Sequence, residues 1–591
     1  MIGYWSVTNF KSVAEANVPL APLTIFAGAN SSGKSSLLQS ILLVAQTLSA
    51  RAGTQPMILN GHFVKLGQLD DLRNSVTNEK QIRLCWTITP NAVEDRPMTR
   101  LRRLQTVIET VSCEVSFGIS ESPLALEQLN PTLFELKLSS RVRESGDQVN
   151  SESHVRLVRK RSVDQEPGHP QRNQNRVVFH FEIELDAESA EDLGDDYSDG
   201  KAIGCYLQTF LPSTLVVSFD EKAEITQAIV GALTRTPRRR FERDQSTQNT
   251  EVPTLLIRNI LGLAPELEKA FTGLEISADD GRISLNEVLD RLRRSRMALG
   301  SEMVSAVEEA ATNILPKGRG ITFTGLPGRS LDSSVGFTRD FFASQVKYLG
   351  PLREEPKAIY PIQSTSDPQD VGLHGEHTAA VLHRNRFLEI QYIPTSNFGE
   401  KPGDAQAVTI ALEEAVFDWL EYLDVAKKIN TSDEGKFGYS LKVIMGEGSV
   451  SHDLTHVGVG VSQVLPIVVM CLLAAPDTTI ILEQPELHLN PKVQTRLADF
   501  FLSMAMLRKQ CLIETHSEYL INRLRLRSAL AEGTSVSELL KLYFVEKTGG
   551  LTTYRDVRIN EYGTIRDWPK GFFDQNQREI EAIILAASEK S

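Results

Sequence analysis

The segment that most constrains the fold of this chain begins at Gly28 and reads Gly-Ala-Asn-Ser-Ser-Gly-Lys-Ser, which matches the P-loop pattern. An apolar run, Leu23–Ala27, precedes the segment, and residues 36–43 follow it with helical periodicity. A loop between a strand and a helix directs backbone N–H groups and a helix N-terminus at phosphate oxygens. The segment therefore predicts a phosphate-binding site on a fold that combines strands and helices.

Individual residues of this loop have different expected roles. Lys34 adds a positive charge for the phosphates, and Ser35 offers its hydroxyl to Mg²⁺. Gly28 and Gly33 let the backbone turn through positive φ and approach the phosphates closely. The predicted nucleotide-binding residues of this loop are Gly28, Asn30, Ser32, Gly33, Lys34, Ser35 and Ser36.

The length and composition indicate a globular protein with a large core. A chain of 591 residues has room for about two to four domains. Hydrophobic residues make up 41% and charged residues 24% of the chain, which is typical of globular proteins with mixed α and β structure. No apolar run approaches the roughly 18 residues that span a bilayer, and the start of the chain lacks the basic residues of a signal peptide. We expect a cytoplasmic protein without a membrane segment.

The net charge limits where a nucleic acid can bind. The chain carries a formal charge of −13, so the molecule as a whole does not attract polyanions. Any nucleic-acid site must be local, and the two densest cationic runs are residues 235–243 and 523–527. Runs of this kind are more often solvated faces of loops or helices, which is the simpler interpretation.

The N-terminal segment predicts strands, and a possible phosphate sensor follows the P-loop helix. Residues 4–8 have the composition of a strand and begin what we predict to be an antiparallel sheet beside the nucleotide. Gln68 lies in a later polar segment, where a glutamine can face Mg²⁺ and the water near the terminal phosphate. An ordinary surface loop is the alternative interpretation.

Between residues 97 and 340 the sequence pattern changes. Alternating apolar and polar runs, such as residues 133–138 and 177–185, predict antiparallel strands. Helical periodicity then dominates residues 254–315 without sustained heptads. We therefore predict a compact insertion with strands first and helices second, rather than a coiled-coil arm.

The chemistry returns in the last third of the chain. A glycine-rich segment, residues 457–463, opens a strongly apolar helical run and provides a second helix N-terminus for phosphate. Its candidate phosphate contacts are Gly460, Ser462 and Gln463. The apolar strand Thr479–Glu483 ends in an acid that can hold Mg²⁺ or its waters.

A further apolar strand, residues 511–515, ends at His516. Each of these motifs alone is common, but their order along the chain is informative. The candidate catalytic residues are Glu483, Gln484, Glu486 and His516, and the candidate magnesium ligands are Ser35, Glu483 and Gln68.

Together these motifs resemble the ABC-type ATPase heads of the AAA family, in the group of structural-maintenance-of-chromosomes, recombination-repair and overcoming-lysogenization-defect proteins. The resemblance implies that residues 28–36 are the Walker A motif and residues 459–463 the signature loop. It also makes Glu483 the Walker B acid and His516 the switch histidine. The implied fold is an α/β P-loop ATPase head with an N-terminal antiparallel β-subdomain and a large insertion. The predicted domains are residues 1–96 and 341–545 for the two parts of the head, 97–340 for the insertion and 546–591 for a small C-terminal module.

Two further segments add to the resemblance. One is Tyr-Leu-Gly-Pro-Leu-Arg at residues 348–353, and the other is Trp-Pro-Lys-Gly-Phe-Phe-Asp at residues 568–574. The second segment is similar to a C-terminal module of unknown function on bacterial ATPases, many of them tied to antiphage defence. About 75 residues follow His516, which is shorter than the nuclease domain of overcoming-lysogenization-defect proteins. The resemblance therefore implies that a nuclease or toxin acts in trans.

One position departs from the family pattern. The residue after the Walker B acid is usually a catalytic glutamate, but here it is Gln484. An amide can orient a water molecule but cannot accept its proton. Either Glu486 supplies the carboxylate, or hydrolysis is slow and the protein acts mainly as a nucleotide-gated clamp.

The resemblance implies an ATPase that uses ATP and Mg²⁺ and forms a homodimer, or a higher even oligomer, around sandwiched nucleotides. Each ATP would lie between Lys34 of one chain and Ser462 of the other. The implied setting is a bacterial antiphage-defence or DNA-maintenance complex with a protein effector as partner. Two alternatives stay open at this point: a nucleotide-gated scaffold with little turnover, and a DNA-repair clamp that binds DNA.

Overall fold

The structure, a computed structural model, describes most of the chain. The described residues are 1–50, 55–90, 106–119, 131–144, 150–159, 181–236, 250–273, 281–295, 300–327, 329–361, 367–398, 406–446, 450–531, 535–566 and 575–588. Most of the cationic run 235–243 and the segment 568–574 lie outside these residues.

The secondary structure follows in chain order. The first part contains β1 (Ile2–Phe10), β2 (Val13–Pro19), β3 (Leu23–Ala27), α1 (Lys34–Ser49), α2 (Leu69–Leu72), β4 (Gln81–Ile88) and β5 (Thr106–Gly118). The middle part contains β6 (Thr132–Glu144), β7 (Asn150–Arg159), β8 (Phe181–Leu185), α3 (Ala187–Asp196), β9 (Lys201–Gln208), β10 (Leu211–Asp220), α4 (Glu221–Thr234), β11 (Glu251–Pro253), α5 (Thr254–Leu263), β12 (Arg282–Ser284), α6 (Leu285–Arg294), α7 (Ser301–Ile314) and β13 (Arg319–Thr324).

The last part begins with a helix that leads back to the central sheet. It contains α8 (Arg329–Ser344), β14 (Val346–Leu349), β15 (Ile359–Tyr360), α9 (Thr378–Asn385), β16 (Glu389–Tyr392), β17 (Val408–Ala411), α10 (Leu412–Tyr422), β18 (Lys428–Asp433), β19 (Tyr439–Ile444), β20 (His452–Asp453), α11 (Gly460–Leu473), β21 (Thr479–Glu483), α12 (Pro491–Met506), β22 (Gln510–Thr515), α13 (Glu518–Leu530), α14 (Ser535–Leu539), β23 (Leu540–Thr548), β24 (Leu551–Asp556) and α15 (Gln575–Ser588). Short 3-10 helices lie at Pro265–Phe271, Thr395–Phe398, Gly435–Phe437 and Leu454–His456.

The chain divides into two compact units. The first unit comprises Met1–Met98, Glu109–Thr132 and Phe337–Ser591, and the second comprises Thr99–Ile108 and Leu133–Gly336. The central sheet of the first unit has the strand order β14-β21-β22-β3-β23-β24. All neighbours are parallel except β23 and β24, which form an antiparallel hairpin. The carboxyl ends of five strands therefore meet at one edge of the sheet.

The sequence explains why the middle strands of this sheet are central. Every residue of β3, β21 and β22 is buried, and each strand is a short apolar run. Such continuous apolar runs are typical of parallel strands that helices cover on both faces. The structure gives β3 and β21 the predicted bounds, and β22 begins one residue earlier, at Gln510.

An antiparallel sheet of the first unit contains β2-β1-β4-β5. Trp5 of β1 stacks on Trp86 of β4, with 5.4 Å between ring centroids. The Trp5 indole N–H donates a hydrogen bond of 2.8 Å to Ser40 Oγ in α1. This pair of contacts ties the sheet to the P-loop helix. The predicted fold class, a P-loop ATPase head with an N-terminal antiparallel β-subdomain and a β-then-α insertion, is confirmed.

The second unit contains the predicted antiparallel strands followed by helices. The strands β6-β7-β8 pair antiparallel, and a separate sheet has the order β13-β10-β9. One detail differs from the sequence prediction. Ile283, expected in a helix, lies in β12 opposite Val252 of β11, and the helix begins at Leu285. A β-branched residue in a cross-strand pair explains the difference, because such residues pack well on pleated strands.

In the part of the chain that the structure describes, no helix has both the length and the apolar character needed to cross a membrane.

Two arginines of the second cationic run pair with one buried acid. Arg523 and Arg527 both donate to the carboxylate of Asp499 in α12, at 2.7 Å for the nearest pair of atoms in each case. Arg525 donates to the backbone carbonyl of Gly563 at 2.9 Å. Arg527 is 1% exposed and Asp499 is fully buried. The interpretation of this run as a solvated helix face is therefore wrong for its buried end at Arg527.

This buried ion pair makes a testable contribution to stability. The variant Asp499→Asn keeps the side-chain shape but leaves the buried Arg527 without its counter-charge. We expect its free energy of unfolding to fall by roughly 3 kcal/mol, which urea denaturation followed by circular dichroism measures. Asp424→Asn is the matched control, because Asp424 pairs with Lys492 where both side chains are more than half exposed. Equal effects of the two substitutions would contradict this account.

Candidate nucleotide-binding site

Close backbone contacts explain both glycines of the P-loop. Gly33 has φ 97° and caps the N-terminus of α1, and a Cβ atom there would lie 2.2 Å from Thr552 Oγ1. A Cβ atom at Gly28 would lie 2.1 Å from the backbone oxygen of Val545. Both distances are too short for any side chain. The hairpin β23–β24 thus presses against the loop, and only glycine fits at these two positions.

The two functional side chains of the P-loop share one partner. Ser35 Oγ donates a hydrogen bond of 2.7 Å to Glu514 Oε2, and Lys34 Nζ lies 3.9 Å from Glu514 Oε1. Lys34 Nζ also donates to the backbone oxygen atoms of Ala29 and Gly28, at 2.8 and 3.2 Å. Burial lowers the pKa of Lys34, while the charges of Glu514 and Glu486 act in the opposite direction.

Glu514 was not among the residues that sequence reasoning selected. Its signal in the sequence is a single acid inside the otherwise apolar strand β22, two residues before His516. Burial raises the pKa of Glu514, and the hydrogen bond from Ser35 and the charge of Lys34 oppose this effect. The structure places Glu514 beside Glu483, because these two residues are register partners in the parallel strands β22 and β21.

The other predicted P-loop residues lie in different surroundings. Asn30 is exposed, whereas Ser32 and Ser36 are buried. Ser32 Oγ is buried and has no hydrogen-bond partner among the residues that the structure describes, and the backbone oxygen of Ser32 accepts from Thr552 Oγ1 at 2.7 Å. A buried hydroxyl without a partner beside a helix N-terminus suits an anionic ligand that supplies acceptors.

Glu483, at the end of β21, is held by Tyr348 of β14 and by Arg353, which follows that strand. Tyr348 donates its phenolic hydrogen to Glu483 Oε1 at 3.1 Å, and Arg353 donates to the Glu483 backbone oxygen at 3.4 Å. Burial and then the charge of Glu514 raise the pKa of Glu483 to about 7. The hydrogen bond from Tyr348 and the charge of Arg353 limit this rise.

Arg353 is a buried cation at the centre of the acidic residues. Its Nε and one terminal nitrogen are buried, and neither has a hydrogen-bond partner in the described part of the chain. Burial lowers the pKa of Arg353 to about 10, while the nearby Tyr348, Glu483 and Glu486 favour the charged form. The segment at residues 348–353 thus supports the end of strand β21.

The structure separates the two candidates for water activation. Glu486 is buried, and its Oε1 accepts from the backbone N–H of His516 at 2.5 Å. Burial raises the pKa of Glu486, and the hydrogen bond from the His516 backbone opposes this effect. Gln484 is only half-buried and has a φ of 45°. Its backbone N–H donates to the backbone oxygen of Glu514 at 2.8 Å. Glu486 therefore joins two strand ends, whereas the Gln484 side chain is the more accessible one.

His516 contacts the P-loop of its own chain. Its pKa is lowered first by burial and then by the charge of Lys34, and a hydrogen bond with the Gly28 backbone acts in the opposite direction. The imidazole is half-buried at the edge of the sheet where β3 and β22 end. This position lets a neutral imidazole act as a hydrogen-bonding group toward a ligand on the P-loop.

The signature segment differs from the prediction in one respect. Ser462 and Gln463 are buried in the first turn of α11, and Ser462 Oγ donates to the Val459 backbone oxygen at 2.8 Å. Gly458 and Val459 are exposed, and a Cβ atom at Gly458 would meet nothing within 4 Å. The expected contact of the Ser462 hydroxyl with a partner's phosphate therefore conflicts with its burial in this chain. The exposed groups are the backbone atoms of residues 458–460.

Gln68 lies apart from the acidic residues in this structure. It is exposed and forms the N-cap of α2, where its backbone N–H donates to Asp71 Oδ2 at 2.8 Å. Among the described residues it makes no hydrogen bond with Ser35 or Glu483. A role of Gln68 at the metal stays a prediction.

The C-terminal hairpin belongs to the central sheet. The strand β23 crosses the predicted boundary at residue 546 and pairs in parallel with β3. Thr552 and Tyr554 of β24 donate to the backbone oxygen atoms of Ser32 and Gly33, at 2.7 and 2.8 Å. These two hydrogen bonds fix the carbonyl groups of the P-loop, so that its N–H groups face the opposite side.

Removing one of these hydrogen bonds tests the support that the hairpin gives. Thr552→Val keeps the shape of the side chain but removes the donor to Ser32. We expect about 2- to 10-fold weaker nucleotide binding in isothermal titration calorimetry, because one hydrogen bond is worth about 0.5–1.5 kcal/mol. The exposed neighbour Thr553 provides the control, Thr553→Val, which should bind nucleotide like the unchanged protein. Equal affinities of both variants would disprove the support.

The site as a whole fits a magnesium-bound nucleotide. The N-terminus of α1 and the buried Ser32 hydroxyl suit phosphate oxygens, and Lys34 adds a positive charge. The Ser35 hydroxyl and the Glu483 carboxylate are oxygen ligands of the kind that Mg²⁺ prefers, and Glu514 accepts a hydrogen bond from that hydroxyl.

Family models match three stretches of the chain. The model described as "AAA ATPase domain" matches residues 1–119, and the model described as "AAA domain, putative AbiEii toxin, Type IV TA system" matches residues 438–522. The model described as "Protein of unknown function (DUF3696)" matches residues 537–583. The first match includes the P-loop, and the second includes Glu483 and His516. No curated protein matches the chain.

Several solved structures are similar to the chain over most of its length. The Smc head domain with an extended coiled coil from Pyrococcus furiosus, bound to the C-terminal domain of ScpA, is 11% identical with a TM-score of 0.33, covering 98% of this chain and 99% of that chain. The SMC head domain from Thermotoga maritima is 7% identical with a TM-score of 0.32, covering 94% of this chain and 99% of that chain. Because these TM-scores are low, the assignment of the nucleotide-binding site rests on the family models and on the geometry of the P-loop.

Proposed function

We propose that this chain, an ABC-type AAA ATPase, binds ATP with Mg²⁺ and joins a second copy of itself around the nucleotide to control a partner protein. The observation that carries the proposal is the meeting of Lys34, Ser35, Glu483 and His516 at one edge of the central sheet. These residues come from segments up to about 480 positions apart in the sequence. A cation, a hydroxyl, an acid and a histidine at one sheet edge can bind and act on a nucleotide. A sheet with a purely structural role does not need this group of residues.

The binding step exchanges partners within the site. Lys34 leaves backbone oxygen atoms of its own loop and contacts phosphate, where a charge-assisted hydrogen bond is stronger. The helix α1 directs its free N–H groups and its dipole at the same phosphates. When bound, Mg²⁺ neutralises phosphate charge and polarises the phosphoryl group.

The proposed dimer contact is the exposed backbone at the start of α11. The turn at Gly458 has open space around it and precedes a helix of 14 residues, so its N–H groups can receive a phosphate from another molecule. A nucleotide held between the α1 and α11 N-termini of two chains favours the closed dimer, and loss of the terminal phosphate removes this preference. This contact replaces the one first expected at Ser462.

The proposed partner is an effector protein of antiphage defence, such as a nuclease or a toxin that acts in trans. The description of the family model at residues 438–522 names a toxin of a toxin–antitoxin system, which supports a setting of this kind. A DNA clamp is a weaker candidate, because Arg523 and Arg527 are paired inside the protein.

Two variants test the composite site together. Lys34→Ala removes the phosphate contact and should weaken ATP binding by about 10- to 100-fold, which equilibrium titration measures. Gly458→Arg should leave ATP binding by the monomer unchanged but fill the space where the partner's phosphate lies. Each variant alone should lose ATP-dependent dimerisation in analytical ultracentrifugation.

Mixing the two variants gives the decisive measurement. In a mixed dimer one site carries both substitutions and the other site carries neither, so the mixture should regain part of the lost ATP turnover. If the mixture stays as inactive as its components, the composite site is disproved. Unchanged nucleotide affinity of Lys34→Ala would disprove the P-loop assignment itself.

Hydrolysis depends on the strand end at Gln484. A glutamine in this position orients a water molecule without accepting its proton, and a positioned general base contributes a factor of about 10² to 10⁴. We expect Gln484→Glu to raise single-turnover hydrolysis at least about 10-fold on this basis. Glu486→Gln should change the rate little, because glutamine keeps an oxygen that accepts from the His516 backbone N–H.

The opposite result would identify Glu486 as the residue that activates the water. If Glu486→Gln abolishes turnover while ATP still binds, and Gln484→Glu has no effect, then Glu486 moves to the water in the closed state. Turnover near zero in the unchanged protein, together with ATP-dependent dimerisation, favours a nucleotide-gated scaffold, for which the amide of Gln484 is the supporting observation.

A further inference from the structure

Glu514 contacts the two P-loop side chains, Lys34 and Ser35, that would bind the magnesium nucleotide in the proposed function. Its carboxylate accepts the Ser35 hydroxyl at 2.7 Å and lies 3.9 Å from the Lys34 ammonium group. The Glu514 side chain is 6% exposed, so water screens its charge poorly. Glu514 also faces Glu483 across the register of two parallel strands.

We infer that Glu514 is a positioning residue that couples nucleotide binding to Mg²⁺. The inference rests on the proposed function, because it names what a residue of the same site does to the ligand. Two physical effects of the one carboxylate act in the same direction.

The first effect is repulsion of a nucleotide without metal. Glu514, Glu483 and Glu486 are three buried acids around one phosphate site, and the buried cations next to them are Lys34 and Arg353. A nucleotide adds several negative charges to this group. Because Glu514 contacts both Ser35 and Lys34, its charge is the acidic charge nearest the P-loop hydroxyl.

The second effect is orientation of the Ser35 hydroxyl. A serine hydroxyl has one hydrogen to donate and two lone pairs to offer. While the hydrogen points to Glu514 Oε2, the lone pairs point away from it and are free for a cation. Carboxylates that hold a metal ligand in this way raise its affinity for the metal, and their removal typically costs about 10- to 100-fold in metal affinity.

Both effects lower the affinity for the metal-free nucleotide relative to the magnesium form. Two dissociation constants are compared, one for the metal-free nucleotide and one for its magnesium form. By thermodynamic linkage, their ratio also measures how much more tightly the protein-bound nucleotide holds Mg²⁺ than the free nucleotide does. A residue with a purely structural role would weaken both forms equally and leave this ratio unchanged.

Titration calorimetry with ADP tests the inference, because ADP is not hydrolysed. The dissociation constant is measured once with excess Mg²⁺ and once with EDTA, for the unchanged full chain and for Glu514→Gln. Glutamine keeps the size of the side chain and an oxygen for the Ser35 hydroxyl but removes the charge. We expect the ratio of the EDTA constant to the Mg²⁺ constant to fall by about 10-fold or more.

Two further variants sharpen this measurement. Glu514→Asp keeps the charge and should retain a larger ratio than Glu514→Gln. Glu518→Gln is the matched control, because Glu518 lies four residues further along, at the start of α13, and contacts Asn522 at the surface. Its ratio should equal that of the unchanged protein.

The possible results separate cleanly. A ratio unchanged in Glu514→Gln, or equal effects of Glu514→Gln and Glu514→Asp, overturns the inference while the nucleotide site stands. Absence of ADP and ATP binding by the unchanged protein in both buffers overturns the proposed function and the inference together. If Glu514→Gln fails to fold, as its circular dichroism spectrum would show, the comparison of Glu514→Asp with the unchanged protein decides: a ratio lowered by the displaced carboxylate supports the inference, and an identical ratio contradicts it.

Discussion

The nucleotide site depends on the parallel pairing of β22 between β21 and β3. This pairing sets Glu483 beside Glu514 and sets Thr515 beside Ala27, the last residue before the P-loop. Side chains alternate between the two faces of a sheet, so a shift of one residue would move Glu514 to the other face. The apolar residues of these strands therefore determine the positions of the charged ones. The buried core sets the register of β21, β22 and β3, and this register sets which charged side chains lie beside one another.

Much of this arrangement follows from the sequence, and the exceptions have physical reasons. The bounds of β3 and β21 are predictable because short apolar runs end abruptly at polar residues. Glu514 is not predictable in this way, since one acid in a buried strand belongs to no motif. The pairing of Arg527 with Asp499 spans 28 positions and exists only in the tertiary structure. Ser462 is buried because α11 is buried on all sides from Val461 to Leu473, and glycine spacing carries no such information.

The charged groups of the site contact one another before any ligand arrives. Lys34 lies 3.9 Å from Glu514, and Arg353 is close enough to Glu483 and Glu486 for their charges to stabilise its charged form. Burial shifts the pKa of each of these acids upward and the pKa of each of these cations downward, while neighbours of opposite charge act against these shifts at Lys34, Arg353, Glu483 and Glu514. A ligand with its metal brings charges of both signs and can replace these pairs without leaving one of them alone. Selectivity for such a ligand is therefore a property of the whole charged cluster.

The contact of the hairpin β23–β24 with the P-loop also has a consequence for protein synthesis. Ser32 is made near the start of translation, but its hydrogen-bond partner Thr552 follows 520 residues later. A growing chain thus exposes the glycine-rich loop long before the strand that shapes it leaves the ribosome. At cellular rates of about 5–20 residues per second, this interval lasts roughly half a minute to two minutes. The P-loop therefore takes its final shape only after the hairpin that contains Thr552 has been made.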